Sequence, residues 1–203
     1  MEGTLTERGR QTRQRIIEAT GQQILASGIG GTTLDGVRAA TLTSKSQLFH
    51  YFPGGKNELV REVAAWEGAQ LLAAQLPWLD DLSTWESWHA WRDALVDYYL
   101  GLGRWACPIG SMAWEAAATD PVLAEGIADS MRTWRGKLAD GVRRLQAGEG
   151  LAADADPDRL AAAILAAVQG GLMLSQPERS SWPLEAALDS LLDVLRSSSR
   201  ERS

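Results

Sequence analysis

A short stretch near the N-terminus, SKSQLFHYFPGGK at 44–56, concentrates side chains that can hydrogen-bond to nucleic acid. The ammonium group of Lys45 can pair with a phosphate or a guanine, and the amide of Gln47 can pair with an adenine edge. His50 and Tyr51 can donate hydrogen bonds to phosphate oxygens. These residue types at this spacing therefore favour the binding of DNA over covalent chemistry.

The stretch needs a framework, because a helix of about two turns is marginal by itself. Ser44 is a residue type that caps helices, and the Pro-Gly-Gly after Phe52 is typical of a helix end. Leu48 and Phe52 are four residues apart, so they can share one face with Val37 of the preceding segment. This anchor leaves the polar side chains pointing outward, as in the second helix of a helix-turn-helix.

The charge distribution separates the N-terminal segment from the rest of the chain. The 203 residues have a net charge of −6, which by itself disfavours nucleic acid as a partner. Residues 1–56, however, contain seven Lys or Arg against four Asp or Glu, and all nine tryptophans follow this segment. A basic head on an acidic body predicts two functions, with domains at 1–56 and 57–203.

The rest of the sequence is helical in pattern, without a convincing strand alternation. The predicted helices cover 6–27, 32–40, the stretch capped by Ser44, and then 55–76, 84–104, 109–117, 121–147, 157–175 and 183–198. Four of these begin at or beside a proline, which the first turn of a helix accepts. The predicted fold class is all-α, with a three-helix helix-turn-helix head and a larger helical body for ligand binding and dimerisation.

The segment 12–60, TRQRIIEATGQQILASGIGGTTLDGVRAATLTSKSQLFHYFPGGKNELV, resembles the N-terminal DNA-binding domain of TetR-family transcriptional regulators. The resemblance lies in the Arg/Ile/Ala pattern of the first helix, the Gly-x-x-x-Thr run into the second, and the aromatic block around His50. "FPGGK" and the later "CPIG" at 107–110 are similar to the LmrA/YxaF-type subgroup. The family implies an all-helical homodimer whose head binds double-stranded DNA and whose body binds a small molecule.

The resemblance assigns the DNA contacts to eight residues of the head. They are Thr33, Ser44, Lys45, Ser46, Gln47, His50, Tyr51 and Lys56. Two residues depart from the family pattern, since Leu42 stands where the turn usually has glycine and Phe49 where tyrosine is common. If the turn needs a positive φ at residue 42, leucine costs roughly 1 kcal/mol or more there.

The tryptophan-rich body predicts how such a regulator is controlled. Large aromatic side chains line pockets that hold apolar ligands with few polar anchors, although a stripe of tryptophans is often simply core. We therefore expect a repressor that is released from a near-palindromic operator by a small apolar or aromatic ligand. The candidate ligand-binding residues are Trp66, Trp88, Trp105, Met112, Trp114 and Trp134.

The alternative is a helical enzyme or ligand carrier whose head no longer binds DNA. Cys107 with His89 as its base would be the nucleophile, but their spacing gives no support, and a buried structural cysteine explains Cys107 better. Two histidines and one cysteine cannot form a common structural zinc site. We expect no catalytic residue, no metal and no cofactor.

The last two predicted helices carry apolar stripes that can form a homodimer interface. One stripe is Leu160, Ile164, Ala167, Val168, Gly171 and Leu172, and the other is Leu184, Leu188, Leu191, Leu192 and Leu195. Two such helices from each subunit would close a four-helix bundle across a two-fold axis. The alternative is that both stripes face the core of their own chain.

The segment 160–177 has no charged residue and only just reaches the length of a membrane span. Gln169, Gly170 and Gly171 interrupt it, so a buried helix is the better interpretation. The N-terminus has no apolar stretch of the kind found in signal peptides. We therefore expect a cytoplasmic protein without a membrane partner.

Overall fold

The computed structural model describes residues 5–103, 106–148, 151–152 and 154–200, with the backbone alone for 197–200. Every regular element among these residues is helical, which confirms the all-α class. Within the described ranges, a 3-10 helix at Trp78–Asp80 accompanies nine α-helices, numbered in chain order. They are α1 Glu7–Gly31, α2 Leu34–Thr41, α3 Lys45–Tyr51, α4 Gly55–Ala73, α5 Trp85–Gly101, α6 Pro108–Thr119, α7 Pro121–Ala147, α8 Pro157–Glu178 and α9 Trp182–Arg200.

The observed end of α4 differs from the predicted end. The prediction placed it at Leu76, whereas the helix ends at Ala73. Proline at 77 disfavours the helical conformation of the residue before it, and the amides of Gln75 and Leu76 each bond three residues back. Buried Gln75 also accepts a 2.8 Å hydrogen bond from the Trp91 indole, which fixes the chain after the helix.

Contacts divide the described residues into two compact units. Unit 1 takes its residues from 1–69 and 108–128, and unit 2 takes its residues from 70–107 and 129–203. Two of the three boundaries fall inside helices, α4 and α7, and the third, at 107/108, immediately precedes α6. This division differs from the predicted boundary after residue 56 because α6 packs on α1. The predicted boundary concerns the DNA-binding segment, and it stays a prediction.

Unit 1 is built around the apolar faces of its short helices. α1 packs on α2 and on α6. Val37, Leu48 and Phe52 are all fully buried, as the sequence predicted for the anchor of α3. Each such side chain contributes about 1.5–3 kcal/mol when it is fully buried, so α3 is held by packing rather than by its own helix propensity. The core also includes Ile16, Ile17, Ile24, Leu59, Val60 and Val63.

Unit 2 has an aromatic core. Trp88, Trp91, Tyr99 and Trp134 are buried, and the rings of Trp88 and Trp91 meet edge to face with centroids 5.6 Å apart. This arrangement is one that aromatic pairs prefer. The tryptophan stripe of α5 therefore supplies core packing, the simpler of the two interpretations that its spacing allowed.

The apolar stripes of α8 and α9 do not face where the dimer prediction placed them. The two helices pack on each other within unit 2, and the central residues of both stripes are buried there. These residues are Ile164, Val168, Leu172, Leu184, Leu188 and Leu192. These six residues were therefore wrong as interface residues, because periodicity shows that a helix face is apolar but not which surface covers it. The homodimer itself stays a prediction.

A different part of α8 and α9 is apolar and exposed. Met173 and Leu174 are exposed on α8, and Trp182 and Val194 are exposed on α9. α8 is also long and apolar enough to cross a membrane by length and composition. Within the chain, 33% of its most apolar window is buried, and the helix packs on α9.

Candidate nucleic-acid interface

Side-chain caps define both short helices of the helix-turn-helix. The Thr33 hydroxyl accepts a hydrogen bond from the Gly36 amide at 3.1 Å and begins α2. At α3, the Ser44 hydroxyl accepts from the Gln47 amide at 3.1 Å, while Gln47 Oε1 accepts from the Ser44 amide at 2.9 Å. This reciprocal capping box typically stabilises a helix start by satisfying two free amides. Thr33, Ser44 and Gln47 thus all have structural roles besides any contact with DNA.

The turn between the two helices is tightly held. Leu42 has φ 54° and ψ 37°, the left-handed conformation that normally belongs to glycine. The hydroxyls of Thr41 and Thr43 are buried and lie 2.8 Å apart, and the Thr43 amide donates to the Arg38 carbonyl at 3.2 Å. Residue 42 therefore has the positive φ for which a glycine would be the usual residue. The leucine side chain is 92% exposed, so it packs against little of its own chain.

The polar residues of α3 lie on its outer surface. Lys45, Ser46, Gln47 and His50 are exposed, and Ser44 is exposed at the start of the helix. This surface contains donors for phosphates and for base edges within seven consecutive residues. It can therefore make both kinds of contact that a recognition helix makes with the major groove.

Tyr51 and Lys56 are less accessible than the residues at the start of α3. Tyr51 is half-buried, and its hydroxyl lies close to Gly9 in the first turn of α1. Its ring meets the His50 ring edge to face with centroids 5.0 Å apart. Lys56 is half-buried in the first turn of α4. Phe49 is 39% exposed.

A junction between α1 and α6 lies behind this surface and was not found from the sequence. The Glu115 carboxylate of α6 accepts hydrogen bonds from the amides of Ile29 and Gly30, at 3.0 and 2.8 Å. Gly28 breaks the regular helix there with φ 74° and ψ 174°. The sequence predicted a helix stop at Gly28, but nothing in it identified a partner 86 residues away.

An ion pair within the same unit joins α4 to Asp120, the residue that precedes α7. The Arg61 guanidinium binds the Asp120 carboxylate through contacts of 2.9 Å. The hydrogen bond from Arg61 lowers the pKa of Asp120 below its usual value, and the Leu123 amide lowers it further. Asp120 therefore stays charged under conditions that protonate an ordinary aspartate. A cavity of about 250 Å³ adjoins both junctions and is lined in part by Lys56, Glu115 and Asp120.

The predicted ligand residues fall in different places. Within unit 1, Met112 is buried, Trp66 is half-buried, and Trp114 is 87% exposed. Trp88 and Trp134 are buried in unit 2, and Trp105 lies outside the described residues. The six residues therefore do not form a single cluster within either unit. The described part of the chain also contains no group of His, Cys, Asp and Glu that could hold a metal ion.

Comparisons with known proteins place the C-terminal half of the chain in a defined sequence family. The family described as "Tetracyclin repressor-like, C-terminal domain" matches residues 87–191, more than half of the chain. An uncharacterized HTH-type transcriptional regulator from the lacX 3' region of Lactococcus lactis is 27% identical over 189 residues, covering 90% of this chain and 92% of that protein. The HTH-type transcriptional regulator LmrA of Bacillus subtilis is 21% identical, covering 91% of this chain and 97% of its own.

Solved structures share the fold across nearly the whole chain. A TetR transcriptional regulator from Chloroflexus aurantiacus superposes with a TM-score of 0.78 at 26% identity, covering 93% of this chain and 96% of that one. The regulatory protein TetR from Rhodobacter sphaeroides gives a TM-score of 0.79 at 22% identity, covering 90% and 97%. LmrA and YxaF of Bacillus subtilis are related at 21% and 24% identity, which leaves the subgroup resemblance a prediction.

Proposed function

Because the chain belongs to the TetR family of transcriptional regulators, we propose that it is a ligand-released repressor that binds a near-palindromic operator as a homodimer. Like the relatives it matches, it is a helix-turn-helix regulator and not an enzyme. The proposal assigns it to the cytoplasm, where an operator is accessible. The observation that supports it most strongly is the capped α3, which has Leu48 buried beneath it and Lys45, Gln47 and His50 on its outer surface.

We expect Lys45 and Gln47 to determine operator sequence. Lys45→Ala and Gln47→Ala should each weaken binding to the cognate site by about 1–3 kcal/mol, the value for a specific base contact. Lys56→Ala should instead weaken all sequences alike and reduce the salt slope of binding by about one unit, as for a phosphate contact. Affinities for DNA selected from a random pool, measured at several salt concentrations, separate the two classes.

The capping box requires a control for Gln47. Gln47→Glu keeps a side chain that can accept from the Ser44 amide, so α3 stays capped while the amide donors for adenine are removed. For the variants Lys45→Ala and Lys56→Ala, the control is Lys137→Ala in unit 2, which also removes one lysine charge. If Gln47→Glu binds and selects the same sequence as the wild-type protein, Gln47 is a helix cap and does not read bases.

Effector binding is proposed to act through α4, which runs from Gly55 to Ala73 and carries residues of both units. We expect an aromatic inducer to quench tryptophan fluorescence and to weaken operator binding over one concentration range. A coupling of about 1–3 kcal/mol corresponds to a 5–150-fold change in affinity, and thermodynamic linkage makes it reciprocal. Saturating operator should therefore weaken inducer binding by the same factor. A compound whose affinity is unchanged by saturating operator is not an inducer.

A further inference from the structure

The turn residue Leu42 combines a left-handed backbone, which ends α2, with a side chain that its own chain leaves uncovered. Its backbone is left-handed at φ 54°, which is strained for a leucine, and its side chain is 92% exposed. A glycine would remove the strain without loss of packing. A strained and exposed residue of this kind indicates a constraint from outside the folded chain.

The structure also shows what lies on either side of Leu42. Thr41 and Thr43 on either side are buried and joined through their hydroxyls, so the turn cannot easily rotate to hide Leu42. Two residues later, Ser44 begins α3, whose first residues Lys45 and Ser46 are exposed. The apolar side chain is therefore next to the polar surface that is proposed to enter the major groove.

We propose that Leu42 is a specificity-determining residue that packs against a thymine methyl group in each operator half-site. This inference rests on the proposed function. The thymine methyl is the apolar group that base pairs present in the major groove, and aliphatic side chains contact it. It is also a partner that can cover an exposed leucine beside lysine and serine without burying their polar groups. The same contact would discriminate thymine from cytosine, which lacks the methyl.

The test separates backbone strain from contact with DNA. A site is selected from random duplex DNA with the wild-type protein, and each symmetric pair of thymines is then replaced by deoxyuridine. We expect the replacement of one such pair to reduce the affinity of the wild-type protein by about fourfold per methyl, the value for burying one such group. Leu42→Ala and Leu42→Gly should bind the thymine site more weakly and should not distinguish thymine from deoxyuridine, while Leu42→Met should retain the preference.

Thermal unfolding of the same variants measures the effect that residue 42 would have if its role were purely structural. Leu42→Gly relieves the positive φ and Leu42→Ala does not, so the glycine variant should unfold a few degrees higher than the alanine variant. If DNA affinity follows this order instead of the apolar size of residue 42, or if no thymine pair is sensitive, the inference is overturned and the regulator function stands. If the wild-type protein selects no sequence at all, the proposed function fails with it.

Discussion

Leu188→Asp should leave little folded protein, whereas Val194→Asp on the same helix should fold and fail to dimerise. Leu188 has 0% exposure in the core of unit 2, and Val194 is 59% exposed. A carboxylate at residue 188 removes buried packing and places an unpaired charge in an apolar core, a change we expect to cost about 4 kcal/mol or more. That is a large share of the roughly 5–15 kcal/mol that stabilises a typical domain.

The measurement for this pair is circular dichroism during thermal unfolding together with light scattering at micromolar concentration. Trp182→Asp tests a second exposed apolar residue of α9, since Trp182 is 69% exposed at the start of that helix. Burial of such apolar residues is what a homodimer interface would provide. A folded, monomeric Leu188→Asp would restore the interface first predicted from the leucine stripe. If Val194→Asp and Trp182→Asp both remain dimeric, the interface lies elsewhere.

Gly28→Ala should destabilise unit 1 strongly by disrupting the junction of α1 and α6. The backbone conformation of Gly28 is one that only glycine adopts readily, and strain of this kind costs about 1–3 kcal/mol. A methyl group there would also lie 2.7 Å from Glu115 Oε1, so the carboxylate must move away from the amides of Ile29 and Gly30. Loss of hydrogen bonds to a charged group adds about 1.5–3 kcal/mol.

Gly30→Ala is the matched control for this prediction. Its added methyl would lie 3.6 Å from Glu115 Oε2, an ordinary contact distance, so its effect should stay within about 0.5 kcal/mol. Urea unfolding of the two variants gives the comparison directly, because both add one methyl to the same three-residue segment. Equal midpoints would mean that the Glu115 contacts do not hold this junction in solution.

The features that the sequence predicted well are those with local causes. The cap Ser44 and the anchors Leu48 and Phe52 follow from spacings of three and four residues, which one helix turn determines. The turn at Leu42 was marked by a departure from the family pattern at a single residue, although the sequence left its conformation open. Such signals depend little on what packs around them.

The features that the sequence did not predict depend on contacts between distant residues. The amides of Ile29 and Gly30 bond to Glu115, and no local pattern marks a glutamate that will bond to backbone amides far along the chain. The stripes of α8 and α9 identified apolar faces correctly, but intrachain packing and subunit packing need the same residue types. Trp114 shows the converse. An aromatic residue in a helical pattern usually indicates burial, but the Trp114 side chain is exposed.

The capping box of α3 restricts how this regulator can diverge in evolution. Gln47 both closes the start of the recognition helix and faces outward, so most replacements at this position would lose its side-chain half of the capping box together with any base contact. Glutamate is the replacement that preserves the box, and its carboxylate accepts from cytosine where glutamine pairs with adenine. Duplicated copies of this gene would therefore acquire new operators more readily through Lys45 or Ser46, whose side chains have no such role in the cap.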